Sequence, residues 1–111
     1  MKTEDLIARI HAEIAELEAA DAATAEDRKA VELDQQSVGR LSRMDAMQVQ
    51  AMAQAESRRR TQRIVALKAA LKRAAEDELG YCQECGDPIA EGRLQLDPAA
   101  TLCIDCARGS G

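Results

Sequence analysis

The chain has 111 residues with one tyrosine, no phenylalanine and no tryptophan, so it lacks the bulky side chains of a thick globular core, although 46% of it is apolar. Its formal net charge of -5 removes any global electrostatic drive toward nucleic acid. No run of about eighteen apolar residues is present, which excludes a membrane-spanning helix. The opening MKTEDLIARIHAE is charged throughout and has no signal-peptide core, so a cytoplasmic location is expected.

Strong helix formers dominate residues 4–79, and both prolines fall after residue 87. Residues 4–33 read as one helix. Ile7, Ile10, Ile14 and Leu17 recur at steps of three and four with Leu6 beside them, then the stripe thins to Ala20, Ala23 and Ala30. His11 lies off the stripe and reads as an exposed helix residue. Gly39, the only glycine before residue 80, marks a reversal. Ser42 followed by Asp45 has the form of a helix start, giving a second helix from about Arg43 to Leu79. Its stripe reads Met44, Met47, Ala51, Ala55, Ile64, Leu67, Leu71 and Ala74, and Gly80 stands where helices commonly end.

Folding back near Val38 sets Ile14 against Ile64 and Ile10 against Leu67. The same register brings Glu16, Glu18 and Asp21 near Arg58, Arg59 and Arg60. Charge supports this pairing: residues 1–41 carry five basic and ten acidic side chains, residues 42–80 eight and five. The expected fold is mostly α, an antiparallel helical hairpin or coiled coil over residues 1–80 with its tip near 34–43. A single long helix competes, and Gly39 and the matched charges count against it.

Residues 81–111 form the second expected domain. They cannot build a core from Tyr81, Ile89, Leu94, Leu96, Leu102 and Ile104 alone, and so small a unit usually needs a metal or disulfides. All four cysteines lie here, as Cys82–Cys85 and Cys103–Cys106, two Cys-x-x-Cys pairs with seventeen residues between them. In a reducing compartment this spacing indicates one structural zinc ion held by four thiolates. Gly86 is expected at positive φ, Pro88 at the next bend, and the second pair at a short helical turn. A redox dithiol pair is the alternative, but it normally sits on a strand–helix scaffold absent here. Four ionised thiols and one divalent cation would take the formal charge from -5 to about -7. With Arg93 and Arg108 as its only basic residues, such a finger is a poor reader of DNA.

Gly80, Tyr81, Cys82, Cys85, Gly86 and Ile89, then Arg93 and Leu94, then Thr101, Leu102, Cys103, Ile104, Asp105 and Cys106 resemble the DksA/TraR family of bacterial zinc-finger regulators. The resemblance implies binding to RNA polymerase rather than DNA. The finger and the base of the coil would engage the enzyme's rim, and the coil would enter the secondary channel. Acidic residues at the tip would approach the catalytic centre and alter promoter-complex stability. Family members carry two tip aspartates close together with an alanine soon after. The matching candidates here are Asp34 and Asp45, eleven positions apart, with Ala46 following and Arg40 between them. Asp34 also reads as the end of the first arm, and Asp45 as a cap of the second. An effector nucleotide is left open.

Two other function classes stay in view. One is a zinc-stabilised adaptor whose hairpin binds another protein. The other is a nucleic-acid-binding ribbon, for which a single tyrosine offers no stacking platform. One histidine, no nucleophile–base arrangement and no phosphate loop argue against an enzyme.

Overall fold

A computed structural model describes the backbone of residues 2–34 and 40–109, and the side chains of 2–25 and 44–109. Two long helices, α1 (Thr3–Asp34) and α2 (Arg40–Ala75), precede two short ones, α3 (Glu91–Leu96) and α4 (Ile104–Ala107). Among the described residues the one β-type pairing is an isolated antiparallel bridge between Tyr81 and Pro88. The chain is thus a mostly α protein, an antiparallel helical hairpin followed by a small cysteine-bearing segment. The reversal expected at Gly39 lies outside the described residues.

The first helix spans nearly the expected range. The second begins at Arg40 rather than Arg43, so Ser42 and Asp45 stand inside α2, and Asp45 is not its cap. It also ends a turn early, at Ala75 rather than Leu79. The stop is made by Asp77, which adopts φ 60. The Asp77 amide donates to the Ala74 carbonyl, and the Glu78 amide to the Arg73 carbonyl at 2.8 Å. This paired closure satisfies carbonyls left open at the helix end and needs a left-handed residue, usually glycine. Gly80, at φ 93, makes the following turn instead.

The molecule divides into two compact units: Met1–Ile14 with Val65–Gly111, and Ala15–Ile64. The first, finger-bearing unit holds the core. Leu6, Ile10 and Ile14 of α1 and Leu67 and Ala70 of α2 are buried there, together with Leu79, Ile89, Leu94, Ala99 and Ala100. Ile10 and Leu67 are completely enclosed.

The second unit, Ala15–Ile64, contains no buried residue among those described. Its inward seam differs from the expected stripe. Of the expected stripe, Met44, Met47 and Ala51 are exposed while Ala55 and Ile64 are half-buried; the seam itself runs through Ala46, Gln50, Ala53, Ser57, Arg60 and Ile64, all half-buried. These recur at steps of four and three, in the helical phase of Leu67 and Leu71. Among the described residues of α1 after Leu17, Asp21, Thr24 and Ala25 are half-buried, while Ala20 and Ala23 face solvent. Hydropathy misled because polar side chains occupy the seam and methionines lie outside it.

Register follows the expected fold-back closely. Asp21, expected opposite residue 56, accepts a 2.7 Å hydrogen bond from the Ser57 hydroxyl. It also pairs with Arg60 at 3.1 Å. Glu16, Glu18, Arg58 and Arg59 remain exposed.

Two stability predictions follow from these placements. Leu67→Ala should cost about 2–5 kcal/mol in urea denaturation, because it empties an enclosed site, while Met52→Ala, at a side chain 66% exposed, should stay within about 0.5 kcal/mol. Asp77→Gly should raise the melting temperature, relieving a left-handed backbone that costs an L-residue about 1 kcal/mol; a lowered melting temperature would show that the Asp77 side chain contributes more than its backbone costs.

Candidate metal centre

The first cysteine pair sits in a tight loop. Gly80 accepts the Ile89 amide at 2.8 Å, and the Cys82 amide donates to the Asp87 carbonyl at 2.8 Å. Inside that frame the Gly86 amide returns to the Cys82 carbonyl at 2.9 Å. Gly86 has φ 80, as its place in the turn requires. The second pair opens α4, where Cys103 is the N-cap residue and its carbonyl accepts the Ala107 amide at 2.9 Å. The Gln83 amide bonds the Thr101 carbonyl at 2.8 Å and ties one loop to the other.

The segment between the pairs is more ordered than the sequence indicated. Helix α3 buries Leu94, and Asp97 then caps a turn, its carboxylate accepting the Ala99 amide at 3.0 Å. This small helix escaped sequence reading because six residues containing a glycine carry too little periodicity.

These loops bring the sulfurs of Cys82, Cys85, Cys103 and Cys106 within 4.8 Å of one another. All four are free thiols. The Cys85 and Cys103 sulfurs are 3.7 Å apart. Four sulfurs each about 2.3 Å from a tetrahedral zinc stand about 3.8 Å from one another, so donor type, number and spacing all suit that ion. Four thiolates leave no coordination position for water or substrate, which makes the centre structural.

The electrostatics favour a cation at this point. The Cys82 thiol is lowered to about 6 by the backbone amides of Cys85 and Cys103. The Cys106 thiol is raised, by its closeness to the Cys103 and Cys82 sulfurs and by burial. The Asp87 amide favours the Cys85 thiolate, yet the neighbouring Cys82 sulfur and desolvation leave that thiol raised as well. Crowded sulfurs resist ionising together, and a divalent ion removes that conflict.

Three arginines hold the surrounding backbone. Arg73, only 8% exposed, donates to the Ala99 carbonyl at 3.2 Å. Arg9 of α1 reaches the Leu94 carbonyl at 3.2 Å. Arg93 bonds the Leu102 carbonyl at 2.8 Å. Sequence reading missed Arg9 and Arg73, and took Arg93 as one of the finger's two basic residues and as part of the family resemblance, not as a backbone tie. The spacing Leu67–Ala70–Arg73, in steps of three along one buried side, is the one trace Arg73 leaves in the sequence.

The candidate tip residues lie elsewhere. Asp34 ends α1 and Arg40 begins α2, with side chains outside the described set. Asp45 is exposed and Ala46 half-buried on α2. The expected grouping of Asp34 with Asp45 lies outside the described side chains. His11 is exposed on α1.

Hairpin and four-sulfur centre together define a helical zinc-finger protein. Residues 78–110 match the family model for the prokaryotic dksA/traR C4-type zinc finger. Over 40 residues it is 48% identical to the RNA polymerase-binding transcription factor DksA of Haemophilus influenzae, covering 36% of this chain and 28% of that protein. Over 36 residues it is 47% identical to the protein of that name from Escherichia coli K12, covering 32% and 24%. The matched segment therefore spans about a quarter of these relatives' length. The transcription factor DksA2 from Pseudomonas aeruginosa shares the fold, with a TM-score of 0.84 at 23% identity over 96% of this chain and 81% of that one.

Cys103→Ser should abolish stoichiometric zinc in elemental analysis of the purified protein. Chelation should collapse the amide dispersion of residues 80–109 in NMR spectra, with much of the helical circular dichroism retained. Protons compete for the same sulfurs, so zinc retention should fall as pH is lowered. Retention that is flat with pH, or an ordered finger in the serine variant, would contradict the assignment.

Proposed function

We propose that this chain is a non-enzymatic, cytoplasmic regulator that binds RNA polymerase and inserts its helical hairpin into the secondary channel. The observation that carries this reading is the finger's close identity to proteins named as RNA polymerase-binding transcription factors. The shared hairpin fold is compatible with it. In this reading the zinc-bearing unit docks on the enzyme's rim and the hairpin reaches inward. Asp34, Arg40, Asp45 and Ala46 are then the residues nearest the catalytic centre. Arg93 is tied to a backbone carbonyl, which leaves Arg108 as the finger's one cation not turned inward and fits a protein partner better than DNA.

A second reading, a zinc-stabilised adaptor for another protein, draws on the exposed Met44, Met47, Val49 and Met52 of α2. Flexible, polarisable methionines adapt to varied apolar partners.

Capture of core RNA polymerase by the tagged chain, with crosslinks from position 38 to the channel interior, is the expected result. Absence of polymerase among captured proteins would favour the adaptor. Asp45→Asn should abolish the effect on transcription in vitro while polymerase binding stays within about twofold; an unchanged transcriptional effect would remove Asp45 from the mechanism.

A further inference from the structure

The unit Ala15–Ile64 pairs two helices without one buried residue among those described. Among the described residues its seam has few large apolar side chains, chiefly Leu17 and Ile64. Four of the polar positions between them, Asp21, Thr24, Ser57 and Arg60, are bonded across the helices. The Asp21 carboxylate accepts from the Ser57 hydroxyl at 2.7 Å and from the Arg60 guanidinium at 3.1 and 3.2 Å. Arg60 also donates to the Thr24 hydroxyl at 3.0 Å. The Arg60 and Asp21 side chains are 16% and 33% exposed, so the pair is partly withdrawn from water. Charged hydrogen bonds in such a setting count for more than surface ion pairs.

We infer that the Asp21–Ser57–Arg60–Thr24 cluster is a strap that holds α1 and α2 together in this unit, which opens and closes locally while the finger-bearing unit stays folded. The physical basis is the contrast between the two seams. The finger-bearing unit closes on Leu6, Ile10, Ile14, Leu67 and Ala70, all buried. Among its described residues the Ala15–Ile64 unit closes largely on small and polar side chains, whose burial contributes little. Polar seam residues in paired helices specify one arrangement at a cost in stability, because they are satisfied only when the correct partners face each other. A heptad slip of α2 would bring Ile64 and Leu67, or Gln50 and Ala53, to the positions of Ser57 and Arg60. The Asp21 carboxylate would then lose these donors. Segments with few buried contacts open at the low end of a protein's stability range.

Hydrogen exchange on the full zinc-loaded chain tests this inference without reference to polymerase. In Asp21→Ala, amides of residues 15–25 and 50–64 should exchange on the order of tenfold faster, with those of 5–14 and 65–75 unchanged. The double variant Asp21→Leu with Arg60→Leu fills the same seam positions with apolar side chains and should return exchange to the wild-type rate or below it. Unchanged exchange in Asp21→Ala, or equal acceleration in both units, would overturn the strap. So would a double variant that exchanges as fast as the single one.

Discussion

Four sulfurs drawn within 4.8 Å of one another are the constraint on which the finger-bearing unit depends. Residues 81–109 bury few large side chains, and their short helices have six and four residues. Such elements do not persist alone in water. Metal binding supplies what apolar burial cannot, and the affinity of the ion becomes folding energy. The arginines extend this order outward. Arg9 and Arg73 donate from α1 and α2 to carbonyls of Leu94 and Ala99, so the finger's backbone is secured by the same helices whose apolar faces close the core.

The two units balance stability in opposite ways. One concentrates buried aliphatic side chains, a metal centre and arginine-to-carbonyl bonds. The other spends its seam on Asp21, Thr24, Gln50, Ser57 and Arg60. A seam of this kind makes pairing selective rather than strong. It also leaves Met44, Met47 and Met52 facing solvent, available to a partner.

Much of this was legible in the sequence because the signals were covalent or periodic. Cys-x-x-Cys spacing specified the metal chemistry, and Ile7, Ile10, Ile14 and Leu17 specified the face of α1. Gly86 was readable because its turn admits little else. Other features were obscured for identifiable reasons. Asp77 performs a task usually given to glycine, so Gly80 drew attention to the wrong residue as the end of α2. The seam of α2 was misread where apolar methionines sit outside and an arginine sits inside, since hydropathy assumes the reverse. Arg73 gave little warning, because a buried arginine is recognised by the carbonyl it meets, and the Ala99 carbonyl comes from a turn 26 positions away. The candidate tip residues Asp34, Arg40, Asp45 and Ala46 were nominated by family resemblance, since no local pattern distinguishes a functional aspartate from an exposed one.

Zinc-edge X-ray absorption on the purified chain tests the central claim most directly, because it reports the ligand atoms themselves. The account predicts a single shell of four sulfur scatterers at about 2.3 Å, with no oxygen or nitrogen ligand. A mixed shell containing light-atom ligands, or zinc scattering without a sulfur shell, would contradict it.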